Sequence, residues 1–332
     1  MPDLFSLAVL LDPTFDLARS YPARAEAWAS QGLTRFDVLV RLARGWCAYL
    51  PPDIVIEQLV PGFVDHLLAA PDPDLALLTF ARIQEDQGSL SLARASVDDP
   101  RFGHDLLFLL GLGHYSADAL RREPGLSDLL LEPDLLAQPI DPAVLRQDAV
   151  ATVRRFTTPQ SRRNALRSWK RGQFVRIIIR DWLLHHSQQV ITAEISAVAD
   201  ACVEAALHAA AREVLGAETL PRGLAIMAMG KWGSAELNYN SDIDLICVAT
   251  PADGLGLADW ERVVQLVGQE LSEATAEGHI FRVDHRLRPE GEGSTLVRSL
   301  ESCVAYYADP AQAWEALALP RVRAAAGEQR GE

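Results

Sequence analysis

Apolar residues recur at intervals of three or four along roughly the first 185 residues, as Phe63 and Leu67 illustrate. This interval places apolar side chains on one face of a helix. Proline-containing breaks, such as residues 51–52 and 71–73, separate the periodic segments, because proline ends helices and favours loops. The sequence has no strand-like alternation of any length here, so the pattern predicts an all-helical region.

A long amphipathic helix is predicted next. Its apolar positions lie at helical spacing on one stripe: Ile191, Ile195, Val198, Cys202, Ala205, Ala206 and Ala209. Gly216 follows this stripe, and glycine readily adopts the left-handed conformation that ends many helices. We therefore expect the helix to end at Gly216.

The pattern then changes from helical to mixed. Residues 224–229 and 242–248 are short apolar runs of strand length, and residues 280–287 alternate in the manner of a third strand. Between them, residues 260–274 carry apolar positions at helical spacing. The sequence thus predicts an α+β protein in which a helical region precedes a small mixed sheet flanked by helices.

Length and composition define the number of domains and the class of protein. The chain has 332 residues, of which 49% are hydrophobic, which suits a globular protein of about two domains. We divide it into a helical N-terminal region, residues 1–150, and a second domain, residues 151–332, which includes basic lead-in helices.

Charge argues against nucleic acid as a general partner. The net charge is −14, whereas affinity for nucleic acid depends on neutralising phosphates. The charge is uneven, since residues 154–180 contain nine Arg or Lys and no Asp or Glu. Two interpretations stay open for this basic stretch: a solvated helix face, or an electropositive surface beside a phosphate-handling site.

The cysteines and the termini indicate a cytoplasmic protein. Four cysteines lie far apart with no CxxC pair, which favours reduced, buried thiols. The N-terminus has no basic start followed by a long apolar stretch, so secretion is not expected. The most apolar run, residues 106–112, is about a third of a membrane span, so no membrane segment is expected.

Candidate chemistry begins with Asp242 and Asp244. Residues two apart on a strand point to the same side, so these carboxylates project together. Hard divalent cations such as Mg²⁺ bind carboxylate oxygens and leave positions open for substrate phosphates. A pair of this kind also occurs as ordinary solvated residues, so the pair alone does not distinguish a metal site from a solvated surface.

The third predicted strand strengthens this interpretation. One of its sides carries Arg282, Asp284, Arg286 and Arg288, and guanidinium groups suit phosphate oxygens. Three carboxylates on neighbouring strands can hold two ions about 3.5–4 Å apart, an arrangement that supports in-line displacement at phosphorus. The alternative is an edge strand whose charges only form salt bridges.

A glycine turn follows the first predicted strand. Glycines there let backbone N–H groups approach a phosphate closely. The spacing differs from that of a Walker A loop. The candidate nucleotide- and phosphate-binding residues are Gly230, Lys231, Gly233, Ser234, Ser241, Arg282 and Arg286.

The order of strand, glycine turn, carboxylate pair and later single aspartate resembles the polymerase-β-like nucleotidyltransferase superfamily. Residues 230–248 (GKWGSAELNYNSDIDLICV) and 281–297 (FRVDHRLRPEGEGSTLV) resemble the bifunctional glutamine synthetase adenylyltransferase / adenylyl-removing enzyme. Residues 166–183 and 314–327 are similar to the same family. Within it, ELNYNSDIDL and RVDHRLRP resemble the N-terminal, adenylyl-removing half.

This resemblance implies an activity and its partners. The expected reaction is phosphorolytic removal of AMP from an adenylylated tyrosine of glutamine synthetase, giving ADP. Asp242, Asp244 and Asp284 are expected to be the catalytic and metal-binding residues, with two Mg²⁺ ions as cofactor. ATP, ADP and phosphate are the implied small ligands, and the PII signalling protein is an implied regulator. Neither nucleic acid nor a membrane is an expected partner.

Some features depart from the family. Trp232 and Ser234 stand where Leu and Gly are commoner, and His285 replaces an apolar residue. We also expect the downstream helical region and the second catalytic domain to be absent, which leaves a fragment, a truncated product or a stand-alone relative. The alternative functions are AMP transfer from ATP to glutamine synthetase, transfer to nucleic-acid ends or small molecules, and a non-catalytic nucleotide-binding module.

Overall fold

The computed structural model describes residues 12, 14–50, 54–55, 59–88, 90–275, 277–308 and 319–327. The chain divides into two compact units, Met1–Ala137 and Gln138–Glu332. The division predicted between residues 150 and 151 falls inside the helix Pro142–Arg154, which belongs to the second unit. No helix of the described residues is both long and apolar enough to cross a membrane.

The first unit is built from helices. They are α1 (Leu17–Ser20), α2 (Pro22–Ala29), α3 (Phe36–Cys47), α4 (Val60–Ala69), α5 (Pro73–Gln87), α6 (Ser91–Asp98), α7 (Pro100–Leu112), α8 (His114–Arg122) and α9 (Pro133–Leu136), with a 3₁₀ helix at Pro124–Leu131. The described residues of this unit contain no strand, as the sequence predicted.

The breaks between these helices are partly caps. Asp72 accepts a hydrogen bond from the N–H of Leu75 at 2.9 Å, and Pro73 occupies the first position of α5, where its missing N–H removes no helical hydrogen bond. The far end of α5 is closed by Gly88 in the left-handed conformation. The sequence therefore encodes the start of α5 where a loop was expected.

Aromatic rings form the centre of the first unit. The ring of Phe63 lies edge-to-face against Trp46 at 5.2 Å and against Phe80 at 4.8 Å between centroids. All three side chains are at most 2% exposed. Such contacts stabilise the unit beyond the burial of apolar area alone, by about 0.5–1.5 kcal/mol per pair.

The second unit combines helices with a sheet. Its helices are α10 (Pro142–Arg154), α11 (Pro159–Trp182), α12 (Gln188–Leu215), the single turn α13 (Gly230–Gly233), α14 (Leu257–Ser272) and α15 (Leu300–Ala308), and its strands are β1 (Leu224–Ala228), β2 (Ile243–Ala249), β3 (Val283–Asp284), β4 (Val297–Ser299) and β5 (Arg323–Gly327). Every apolar position of the predicted stripe on α12 is buried, and Gly216 caps that helix with φ of 66°.

The sheet is mixed, which confirms the predicted α+β class. The strand order is β3-β2-β1-β5, and β4 pairs with the same edge of β2 as β3. β1 is antiparallel to β2 and to β5, whereas β3 and β4 run parallel to β2. Helices α12 and α14 pack together and cover the face that presents Ile226, Leu245 and Cys247. Asp244 alternates with these residues and points to the other face.

The third predicted strand is much shorter than expected. Residues 280–287 were predicted to form it, but only β3 pairs. Before β3, the N–H of Phe281 donates to the carbonyl of Leu271 at 3.1 Å instead of to a strand. After β3, the chain turns, and the N–H of Arg286 donates to the side chain of Asp284 at 2.8 Å. These local hydrogen bonds compete with strand pairing and end it.

Helix α11 contains most of the basic stretch, and both interpretations offered for that stretch are wrong for its buried cations. The buried basic side chains of this helix are Arg162, Arg167, Lys170, Arg171, Arg176 and Arg180. They hold acidic side chains and loop carbonyls of the same unit, as Arg171 pairs with Glu277 at 2.7 Å and Arg180 with Glu194 at 2.9 Å. These six side chains therefore form neither a solvated face nor an open positive surface, whereas Arg154 and Arg155 of the same stretch are exposed.

Candidate active site

The carboxylates lie where β2 and β3 run side by side. Asp244 is the second residue of β2 and Asp284 is the last of β3, and the two are register partners in the parallel pair. Partners in register point to the same side of a sheet, so their side chains are neighbours. Asp242 is exposed and lies just before β2. The short β3 is thus sufficient to bring Asp284 beside Asp244.

The two paired carboxyl groups have opposite electrostatic surroundings. Burial, and then the nearby charge of Asp284, raise the pKa of Asp244 above its ordinary value. Hydrogen bonds from Arg286 lower the pKa of Asp284. Among them, Arg286 Nε donates to Asp284 Oδ2 at 2.7 Å. Asp244 therefore carries a charge that is poorly compensated, which is the condition that a bound cation relieves.

Arginines contact the other two carboxylates. Arg282 Nε donates to Asp242 Oδ1 at 2.5 Å, and its Nη2 donates to the carbonyl of Asn240 at 3.2 Å. Arg286 Nη2 donates to Asp284 Oδ2. With the side chains in these positions, no group of three or more His, Cys, Asp or Glu among the described residues is gathered closely enough to hold a metal ion. A metal ion bound by Asp242 and Asp284 would therefore have to displace their arginine partners.

The alternation predicted that Arg288 would lie on the same side of the strand as Asp284, but it does not. Its side chain is only 9% exposed. Its Nε donates to Ser294 Oγ at 3.2 Å and its Nη1 to the carbonyl of His285 at 3.4 Å. Because the chain turns after β3, Arg288 is directed into the following loop and stabilises it.

The glycine turn touches the carboxylate site through Gly230. This residue has φ of 54°, and a Cβ built on it would lie 2.7 Å from Asp244 Oδ2. The N–H of Met229 donates to the Asp244 carbonyl at 2.9 Å, which fixes the start of the turn on β2. Only glycine combines this backbone conformation with so close an approach. The turn therefore lies directly beside the Asp244 carboxylate.

The other residues of the turn have different surroundings. Lys231 is exposed and Ser234 is half-buried. Gly233 faces the protein interior, where an added Cβ would lie 1.8 Å from the carbonyl oxygen of Arg321. Ser241 lies in the next loop, where its hydroxyl donates to Asn238 Oδ1 at 2.7 Å and shapes the approach to Asp242. The predicted phosphate contacts thus include exposed, half-buried and interior residues.

Comparison with known proteins decides the family. A family model described as glutamate-ammonia ligase adenylyltransferase matches residues 103–332. The chain belongs to this family. The resemblance of the motifs to the adenylyltransferase family is thereby confirmed.

Three relatives show the extent of the similarity, each named bifunctional glutamine synthetase adenylyltransferase/adenylyl-removing enzyme. The Mycobacterium marinum protein is 34% identical over 287 residues, which are 82% of this chain and 28% of the relative. The Mycobacterium leprae protein is 32% identical over 283 residues, with the same shares. The Cutibacterium acnes protein is 30% identical over 325 residues, which are 97% of this chain and 32% of the relative. The chain spans less than a third of the length of these relatives.

One residue that supports the adenylyltransferase glycine turn was missed in the sequence. Asp200 of α12 is 4% exposed and accepts a hydrogen bond from Trp232 Nε1 at 2.8 Å. Arg323 of β5 donates to both of its carboxylate oxygens, at 2.7 and 2.9 Å, and Arg146 of α10 donates at 3.0 Å. The available signal was an acid between the apolar residues Val198 and Cys202 of a buried stripe, since a buried acid needs partners.

The donor set fits a hard divalent cation. All three candidate ligands are carboxylates, and burial, followed by the charge of the neighbouring Asp284, raises the pKa of Asp244. Carboxylate oxygens without nitrogen or sulfur donors select Mg²⁺ over softer metals. The chemistry of the site therefore suits the magnesium ion that the adenylyltransferase resemblance implies.

Proposed function

We propose that this chain is a nucleotidyltransferase that removes AMP from an adenylylated tyrosine of glutamine synthetase by phosphorolysis, giving ADP. The observation that carries the proposal is the register pair of Asp244 and Asp284, with Gly230 of the glycine turn in direct reach of Asp244. The names of the relatives support glutamine synthetase as the protein substrate.

Asp242, Asp244 and Asp284 are the residues that would hold Mg²⁺, as two ions shared among three carboxylates. Bound there, magnesium supplies positive charge to the phosphate oxygens and lowers the barrier to displacement at phosphorus. Arg282 and Arg286, once released from their carboxylates, reach phosphate oxygens as charge-assisted donors. Lys231 and Ser234 line the turn on which the nucleotide phosphate lies.

The proposed reaction balances without any further reactant. An oxygen of inorganic phosphate forms a bond to the phosphorus of the tyrosine-linked AMP, and the bond between that phosphorus and the tyrosine oxygen breaks. The phenolate that leaves takes a proton from solvent, and the products are ADP and the synthetase with an unmodified tyrosine side chain. AMP transfer from ATP is a separate reaction that could use the same carboxylates: the tyrosine hydroxyl attacks the α-phosphorus of ATP and loses its proton to solvent, and pyrophosphate leaves. ATP, ADP and phosphate are therefore the expected small ligands.

Partners and location complete the proposal. The PII signalling protein is proposed as a regulator, on the resemblance alone. The free thiols of Cys202 and Cys247 are buried, which supports a reducing compartment and hence a cytoplasmic protein.

The direction of transfer can be tested with the purified chain. In one assay it is incubated with adenylylated glutamine synthetase, Mg²⁺ and phosphate, and ADP is measured. In the other it is given unmodified synthetase, Mg²⁺ and radiolabelled ATP, and label on the synthetase is measured. ADP in the first assay with no label in the second supports the proposal. Label alone shows adenylyl transfer, and nucleotide binding without either product shows a non-catalytic module.

A further inference from the structure

Helix α11 contacts the segment that leads to Asp242. Its Phe174 packs edge-to-face on Tyr239, with 6.1 Å between ring centroids. The hydroxyl of Tyr239 donates to Asp181 Oδ2, also on α11, at 2.9 Å. Tyr239 lies three residues before Asp242, so α11 fixes this approach from two positions.

The same helix contacts the segment that leads to Asp284. Lys170 Nζ donates to the carbonyl of Ile280 at 2.7 Å, and it lies over the ring of Phe281 at 4.6 Å from the centroid. The same ammonium lies over the ring of Phe174 at 4.3 Å. Phe174 and Phe281 also contact each other, at 6.1 Å between centroids. Lys170 is thus placed where the supports of both carboxylate-bearing segments meet.

Lys170 is an expensive residue to bury. It is 8% exposed, and no ion pair joins it to a carboxylate anywhere in the described part of the chain. Burial lowers the pKa of its ammonium group to about 8. The hydrogen bond to Ile280 and the contacts with the two rings are the interactions that offset the cost of burying this ammonium group.

We propose that Lys170 is a positioning residue for the carboxylate site, which holds the 280–284 segment and the 239–244 segment in register through Ile280, Phe281 and Phe174. It touches none of the three carboxylates and acts only through these neighbours. The inference rests on the proposed function, because it concerns the site at which that reaction takes place. The proposal also has a structural consequence that does not depend on the reaction: both segments are expected to lose order together when Lys170 is replaced.

Amide hydrogen exchange of the full chain tests this consequence without any substrate. Lys170→Met fills the same volume but removes the donor and the charge. It is expected to lower protection about tenfold or more in both segments, while the β1 amides at Leu224–Ala228 stay protected. Lys170→Gln keeps a donor and is expected to give a smaller loss, and it decides the matter if the methionine variant does not fold. Arg162→Met removes another buried cation of α11 and is expected to leave both segments unchanged.

Kinetics add a measurement that loss of global stability does not reproduce. In whichever direction the chain transfers AMP, Lys170→Met is expected to lower kcat about tenfold and to change KM for the nucleotide by less than about threefold. Unchanged exchange in either segment overturns the inference, since Lys170 then does not couple them. If the wild-type chain transfers no AMP in either direction, the proposed function fails, and the exchange result alone decides the role of Lys170.

Discussion

At the scale of single residues, Gly230 and Gly216 share a left-handed backbone but differ in their surroundings. An added Cβ at Gly230 meets Asp244 Oδ2 at 2.7 Å, whereas at Gly216 nothing lies within 4 Å. Gly230→Ala is therefore expected to lower kcat about 100-fold by displacing the carboxylate, and to cost about 1–2 kcal/mol of stability. Steady-state kinetics and urea unfolding measure the two effects.

Gly216→Ala is the matched control for backbone strain. It imposes the same unfavourable φ at the end of α12, which is expected to cost about 1 kcal/mol without changing kcat. If the two variants lose activity equally, the close approach of Gly230 to Asp244 has no functional weight.

Asp200 shows what a single buried acid contributes to stability. Three side chains donate to it, those of Trp232, Arg323 and Arg146. Asp200→Asn removes the charge and directs an N–H₂ group at these donors, so it is expected to lower the free energy of unfolding by about 3 kcal/mol. Urea unfolding at neutral pH measures the loss. Asp253→Asn removes the partner of Arg222 at an exposed site and is expected to change nothing measurable; equal losses in the two variants would contradict the buried role of Asp200.

At the scale of elements, α11 joins helices and loops that are distant in sequence. Arg163 pairs with Glu270 at 3.0 Å and Arg162 with Glu213 at 2.5 Å, while Arg167 donates to the carbonyl of Gly278 at 2.9 Å. Charged side chains of one element thus set the positions of α12, α14 and the loop before β3. The basic side chains of α11 therefore act within the protein interior, where they stabilise the packing of neighbouring elements.

The buried lysine of α11 predicts a pH dependence of stability. The pKa of Lys170 is lowered by burial to about 8, from an ordinary value of 10.5. Between these values the unfolded chain binds more protons than the folded chain, so this group makes stability rise with pH across that window and contributes no slope below it. The wild type is expected to gain on the order of 1 kcal/mol relative to Lys170→Met between pH 7.5 and 9.5.

Urea unfolding of both proteins at the two pH values gives this difference. The cysteines titrate in both, so their contribution largely cancels in the comparison. Parallel pH profiles for the wild type and Lys170→Met would show that the lysine keeps an ordinary pKa in the folded chain.

At the scale of the whole molecule, the boundary between the two units can be tested by truncation. A chain of residues 138–332 keeps the whole of α10, which places Leu145 and Ala149 in the core and Arg146 against Asp200. A chain of residues 151–332 follows the division predicted from sequence and lacks these contacts. The longer piece is expected to unfold cooperatively, and the shorter one to lose at least about 3 kcal/mol or fail to fold.

Circular dichroism during urea unfolding measures both pieces. Equal stability of the two would show that α10 does not belong to the fold of the second unit. If the longer piece does not fold by itself, the second unit depends on residues before Gln138.

The sequence predicted those parts of the fold in which local pattern and tertiary contacts agree. β1, β2 and α14 were found because their apolar positions are the ones that the core buries. The extent of β3 was not found, because a hydrogen bond between Arg286 and Asp284 ends it, and alternation carries no trace of that bond. The role of the basic stretch was not found, since its partners lie far along the chain, as Glu270 does from Arg163.

The candidate site follows the same division. The carboxylates were identified by spacing and resemblance, and their placement on β2 and β3 needs only the strand register. Supports such as Asp200 and Lys170 bind through contacts between distant elements, so no spacing in the sequence reveals them.

The central claim is that Asp244 belongs to the reacting site and not merely to the sheet. The most direct test compares kcat of Asp244→Asn with that of the wild type in the assay of ADP release from adenylylated glutamine synthetase, together with Tm. Because Asn removes a charge that Asp284 repels, Tm is expected to stay equal or rise, while kcat falls at least about 100-fold. Wild-type activity in the Asn variant would contradict the account.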